Sequence, residues 1–145
     1  MKINQAGVEL IKQFEGFSAK PYLCPAKVWT IGYGHTGGVT KLTPPITKSE
    51  AEQILRDDLC EYEYLVKSLV LVPLNENQFS ALVSLVFNVG VTPLTHTMGK
   101  LLNKNDYLGA AQQFERWCHV RSTVVFGLVR RRAAEKDLFL KRLGG

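Results

Sequence analysis

The segment FSALVSLVFNVG, residues 79–90, carries apolar side chains on nearly every side when wound as a helix. A helix with no polar face has to be enclosed by the rest of its chain. It is much shorter than the ~20 apolar residues of a membrane span, so the enclosure must be protein. We therefore expect a central buried helix, started by Asn75 as N-cap and ended by Gly90. The remaining sequence offers helices to surround it. Val8, Ile11 and Phe14 recur at helical spacing after Asn4, a plausible cap, and Gly16 is placed to stop that first helix. Thr47-Lys-Ser-Glu50 is a capping box, followed by the long apolar stripe of Ile54, Leu55, Leu59, Tyr62, Leu65 and Val66. Further helices are expected over 97–103, 106–118 with Asp106 as cap, and 126–142.

Residues 17–42 have a different character. Pro21, Pro25 and the glycines Gly32, Gly34, Gly37 and Gly38 punctuate the β-formers Val28, Trp29, Thr30, Ile31 and Tyr33, which reads as a small antiparallel sheet. The fold class is then α+β and mostly helical, with a small sheet lobe joined by a long helix to a helical lobe. A length of 145 residues fits a single domain of two such lobes. The small lobe is expected at about 15–58, and the helical lobe at about 59–145 together with the N-terminal helix.

A formal net charge of +5 favours anionic surfaces, among them nucleic acid, lipid headgroups and cell-wall polymers. No nucleic-acid-binding motif and no basic strand with interleaved aromatics is present, so nucleic acid is not an expected partner. Cys24, Cys60 and Cys118 are odd in number and widely spaced, which suggests neither a disulfide framework nor a zinc site. Polar residues interrupt the apolar ones at the amino terminus, against a signal peptide, and no apolar run is long enough for stable membrane insertion.

Glu15 stands out because it closes the first helix, where a carboxyl group meets the negative pole of the helix dipole, a setting suited to a proton donor. Its plain alternative is a solvated glutamate at a fraying helix end. The segment EGFSAKPYLCPAKVWTIGYGHT decides between them: Glu15, eight residues, Cys24, five residues, Thr30. This spacing resembles the phage lysozyme (endolysin) family, whose active site runs Glu, eight residues, Asp or Cys, five residues, Thr. The continuation TIGYGHT is equally characteristic, and the resemblance extends through ITKSEAE, ALVSLVFNVG, AAQQFERW and GLVRRRAAEKDLFL.

The resemblance implies a lysozyme-like fold and an endolysin hydrolysing the β-1,4 bond between N-acetylmuramic acid and N-acetylglucosamine of peptidoglycan. By the same resemblance the catalytic residues are Glu15, Cys24 and Thr30: Glu15 would protonate the glycosidic oxygen, Cys24 would lie across the sugar, and Thr30 would help place the attacking water. Direct attack by water needs the two groups about 6.5–9.5 Å apart. Cys24 departs from the more frequent Asp, and an unperturbed thiol, with a pKa near ~8.5, is mostly protonated at neutral pH. Lys27 or another positive group is one means of lowering it. Base, nucleophile and passive electrostatic roles all stay open.

Thr36, Phe87, Thr97 and Gln113 match substrate-binding positions of the family, and Asp58 matches an acidic partner of His35, giving that histidine a structural role. Trp29 and Trp117 can stack on sugars, but core packing is the ordinary fate of a tryptophan in a small domain. The last helix combines Leu128, Val129, Leu138 and Leu143 with Arg130, Arg131, Arg132, Lys136, Lys141 and Arg142, and we expect a packed terminal helix with a solvated basic face. No metal or other cofactor is expected. The resemblance further implies a monomer made in the host cytoplasm, released through a phage holin and acting on the periplasmic wall. Competing functions are a non-catalytic wall-binding module and a cationic membrane-active protein, with a lytic transglycosylase as the nearest enzymatic rival.

Overall fold

A computed structural model describes residues 1–143. The chain divides into two compact units, one formed by Ile11–Cys60 and the other by Met1–Leu10 with the chain from Glu61 onward. Two helices, α1 (Gln5–Glu15) and α2 (Lys48–Leu69), contribute residues to both.

In the Ile11–Cys60 unit, strands β1 (Ser18–Leu23) and β2 (Trp29–Gly32) form an antiparallel pair, with Tyr22 opposite Thr30 and Leu23 opposite Trp29. The register shifts between Ser18 and Tyr22. Beyond β2 the chain turns back at once, so that Ile31 and His35 exchange both backbone hydrogen bonds, each 2.9 Å. Gly32 and Gly34 make this turn at φ +66° and +84°, where other residues are strained. Gly32 also lies under α2, since a Cβ there would stand 3.2 Å from that of Ala51. The Thr47 capping box is present: Glu50 N–H donates to Thr47 Oγ1 and Thr47 N–H to Glu50 Oε1, both at 3.1 Å. Ile11, Ile31, Tyr33, Ala51, Leu55 and Leu59 are buried and form the core of this unit.

The other unit is built on the apolar helix, α3 (Glu76–Val89), with Asn75 in a capping box with Gln78 and Gly90 as C-cap at φ +86°. Its residues from Phe79 to Val86 are all buried, as a helix without a polar face requires. Asn4 caps α1 by accepting from Gly7 N–H at 2.9 Å and fastens it to α3, its own N–H donating to Ser80 Oγ at 2.9 Å. Around α3 lie α4 (Thr92–Thr95), α5 (Thr97–Asn103), α6 (Tyr107–Gln113) and α7 (Phe126–Leu140).

The chain departs from the sequence reading in two places here. The helix expected to reach residue 118 ends at Gln113, tightens into a 3₁₀ turn over Phe114–Arg116, and gives way to a hairpin of β3 (His119–Val120) and β4 (Thr123–Val124). The apolar periodicity continues past Gln113 because Phe114 and Cys118 are both buried, although the backbone is no longer α-helical. The second departure concerns α7, whose basic residues do not all face solvent. Arg131 and Arg132 are buried beside Glu135, which is fully enclosed.

Glu135 holds α7 against α3. Ser84 Oγ–H donates to Glu135 Oε2 at 2.5 Å, Arg132 reaches Oε1 at 2.6 Å, and Arg131 Nε donates to Oε2 at 3.4 Å. Burial pushes the carboxyl of Glu135 up and the guanidinium of Arg132 down, while their mutual attraction opposes both shifts. Removing the carboxylate charge leaves two buried arginines facing an uncharged group. Glu135→Gln is therefore expected to lower the unfolding free energy by about 3–5 kcal/mol, measured by urea denaturation, whereas neutralising exposed Lys141 should change it by less than ~0.5 kcal/mol.

Candidate active site

Glu15 is the last residue of α1, and its half-buried carboxylate lies against the Gly32–Gly34 turn. A Cβ on Gly34 would stand 2.9 Å from Glu15 Oε1, so the carboxylate lies directly against the backbone of the turn.

Cys24 follows β1 and is half-buried. Its backbone forms a tight loop with the next strand: Cys24 N–H donates to Val28 O at 3.0 Å, and Lys27 N–H donates to Cys24 O at 2.8 Å. Lys27 makes this turn at φ +61°. Hydrogen bonds from the backbone at Val28 and Ala26 and from the Thr30 side chain draw the Cys24 thiol below its ordinary value, outweighing the upward pull of its partial burial. The lowering thus comes from backbone dipoles and a hydroxyl, with no lysine among its causes. Thr30 is buried in β2, and its hydroxyl lies 2.9 Å from Val28 O. The structure therefore brings Cys24 and Thr30 together, and it sets Glu15 on the turn that continues from the strand of Thr30.

His35 closes the same turn. Its Nδ1 lies 2.7 Å from Asp58 Oδ2 on α2 and its Nε2 lies 2.9 Å from Gly37 O. Both ring nitrogens face oxygen atoms of neighbouring residues. The expected pair with Asp58 is present and serves structure, tying the turn to the helix. Thr36, next along, is exposed in the loop.

The other expected substrate positions lie in the unit built on α3. Thr97, at the start of α5, and Gln113, at the end of α6, line one concavity of about 320 Å³ with His96, Met98, Arg116 and Trp117. Phe87 is half-buried on α3 with its ring edge-on to Tyr62, 5.3 Å between centroids. The sequence reading favoured core burial for Trp117, yet it lines this hollow together with Arg116 and is half-buried.

Comparison with known proteins adds to this geometry. The sequence profile of the phage lysozyme family matches residues 12–135, most of the chain. The chain belongs to the phage lysozyme family. It is a glycoside hydrolase of the lysozyme type, and a lysozyme acts on peptidoglycan. It is 42% identical over 144 residues to the endolysin of Acyrthosiphon pisum secondary endosymbiont phage 1, covering 96% of this chain and 98% of that one. It is 37% identical to the endolysin of Salmonella phage P22, covering 97% and 99%. Among solved structures it is similar to the muramidase domain of SpmX from Asticaccaulis excentricus, with a TM-score of 0.88 and 39% identity over 97% of this chain and 99% of that one.

Since alkylation follows the thiolate, this lysozyme should react with iodoacetamide at Cys24 with a pH midpoint below that of an ordinary cysteine, and lose reactivity only as pH falls through that lowered value. The measurement is mass spectrometry of the Cys24 peptide in a Cys60→Ser background, because Cys60 is exposed while Cys118 is buried. A midpoint equal to that of a cysteine in an unstructured peptide would contradict the lowering of the Cys24 thiol by its loop.

Proposed function

We propose that this lysozyme is a phage endolysin that cleaves the β-1,4 bond from N-acetylmuramic acid to N-acetylglucosamine, with Glu15 as general acid and Cys24 thiolate as general base. The observation that carries the reading is the placement of Cys24 and Thr30 on the β1–β2 pair with Glu15 against the turn that continues from the strand of Thr30; the lowering of the Cys24 thiol accords with a base at that position. The proposed step is a direct displacement. Water attacks the anomeric carbon while its proton passes to the Cys24 sulfur. The glycosidic C–O bond breaks with its electron pair going to oxygen, and that oxygen takes the proton of Glu15. Thr30, beside the sulfur, helps to orient the water. Solvent then restores the proton to Glu15 and removes it from Cys24.

Thr36, Phe87, Thr97 and Gln113 are the proposed glycan contacts, and the hollow shared by Thr97, Gln113 and Trp117 supports the assignment of that pair. Among the described residues no helix is long and apolar enough to cross a membrane. Synthesis in the host cytoplasm, release through a phage holin and action as a monomer on the periplasmic wall complete the proposal, supported by the similarity to endolysins.

Two variants test the acid and the base. Glu15→Gln should abolish release of reducing ends from purified peptidoglycan with the fold retained, because the shape is kept and the acidic proton is lost. Cys24→Ala should lose about 10²–10⁴-fold in kcat, and Cys24→Asp should stay active with its pH profile displaced toward acid. Direct displacement by water also requires inversion at the anomeric carbon, read by NMR of the first product, whereas retention or an anhydro product would exclude the step as written.

A further inference from the structure

A second hollow, of about 600 Å³, adjoins the one that holds Thr97 and Gln113, and Arg116 and Trp117 line both. Its other polar walls are Asn88, His119 and Arg121, and none of the residues lining it is acidic. Arg121 sits at the tip of the β3–β4 hairpin at φ +57°. Glycine would take that conformation without strain, so a guanidinium is held there against backbone preference. Among the described residues Arg121 has no hydrogen-bond or ion-pair partner, and Arg116 donates from Nη1 to Gln113 Oε1 at 3.1 Å.

The floor of this hollow is fixed by the buried network. Arg132 donates to Asn88 Oδ1 at 2.8 Å and to Trp117 O at 3.3 Å. With its oxygen engaged by Arg132, Asn88 has its amide N–H₂ edge to offer to a ligand. The site thus combines a pinned amide donor, two arginine forks and an aromatic wall, the chemistry of carboxylate recognition beside a sugar.

Resting on the function proposed above, we propose that this hollow is a subsite for carboxylates carried as side branches of the glycan. Muramic acid supplies them in either of two forms: the carboxylate of its lactyl group, or the carboxylates of a peptide joined to that group. A sugar ring held at Thr97 and Gln113 would have such a branch within reach of Arg116 and Arg121, because the two hollows share a wall.

The test measures binding without turnover, in a Glu15→Gln background, by titrating tryptophan fluorescence with three soluble fragments. These are glycan with its peptides, muramic-acid glycan stripped of peptides, and a chitin oligosaccharide that has no carboxylate. Arg121→Gly should raise Kd about tenfold for the peptide-bearing fragment, the loss of one charge-assisted contact. It should leave the chitin oligosaccharide unchanged, with no fall in Tm. Weakening that persists on stripped glycan assigns the site to the lactyl carboxylate, and weakening confined to the first fragment assigns it to the peptide. Equal weakening on all three fragments, or on none, would overturn the proposal. Failure of the enzymatic reading is separate, since it appears as wild-type protein releasing no reducing ends from peptidoglycan.

Discussion

The enclosed carboxylate of Glu135 is the constraint on which the α3 unit is organised. An ionised side chain with no solvent exposure is costly unless opposite charge and hydrogen-bond donors surround it. Here the donors come from Ser84 on α3 and from Arg131 and Arg132 on α7. Meeting that requirement fixes how the two helices face each other, and a slip of one residue along α7 would leave the charges unmatched. The consequence travels outward through Arg132, which reaches Asn88 at the end of α3 and the backbone of Trp117. A core ion pair thereby sets the walls of a surface hollow.

In the Ile11–Cys60 unit a comparable part is played by the Ile31–His35 turn. A two-stranded sheet has little stability of its own, so its geometry must be imposed by what packs on it. Ala51 of α2 closes over Gly32, and Asp58 of the same helix holds His35. Phe17 and Tyr33 meet at 5.5 Å between ring centroids, and Lys12 reaches both the Tyr33 ring and Glu52. The lysine draws the carboxyl of Glu52 below its usual range. The turn that receives the carboxylate of Glu15 is thus held by α2 and by the ion pairs of that helix.

Local signals in the sequence marked these elements well where the physics is itself local. Asn4, Thr47, Asn75 and Asp106 are all caps, because a capping side chain bonds within three residues of itself. The all-round apolar pattern of residues 79–90 likewise had one outcome, burial. The hairpin after Phe114 escaped notice because its strands are two residues each and its turn is made by Arg121 and Ser122, residues with no hairpin preference. Arg131 and Arg132 were misplaced because their burial depends on Glu135 and Ser84, and only the packed helices bring Ser84 to them. Within the candidate site, the positions of Glu15, Cys24 and Thr30 were legible as a motif. The lowering of the thiol was not, since its causes lie in the backbone at Val28 and Ala26 and in the approach of the Thr30 side chain, none of which has a sequence signature.

That last point bears on what a cysteine and an aspartate placed at position 24 would have in common. If the anion at this position depended on a particular cationic side chain, a thiol and a carboxylate, which differ in size and reach, would need different partners. The N–H groups of the 24–28 loop and the Thr30 hydroxyl are instead fixed by β1, β2 and the turn between them. A cradle of backbone donors favours negative charge of any kind. The larger, more polarisable sulfur accepts such bonds weakly and a carboxylate oxygen accepts them strongly, so the same cradle moves the two groups by different amounts from different starting points. The residue at position 24 would then set where its own titration begins, while the fold, through the loop, sets the direction in which that titration is displaced.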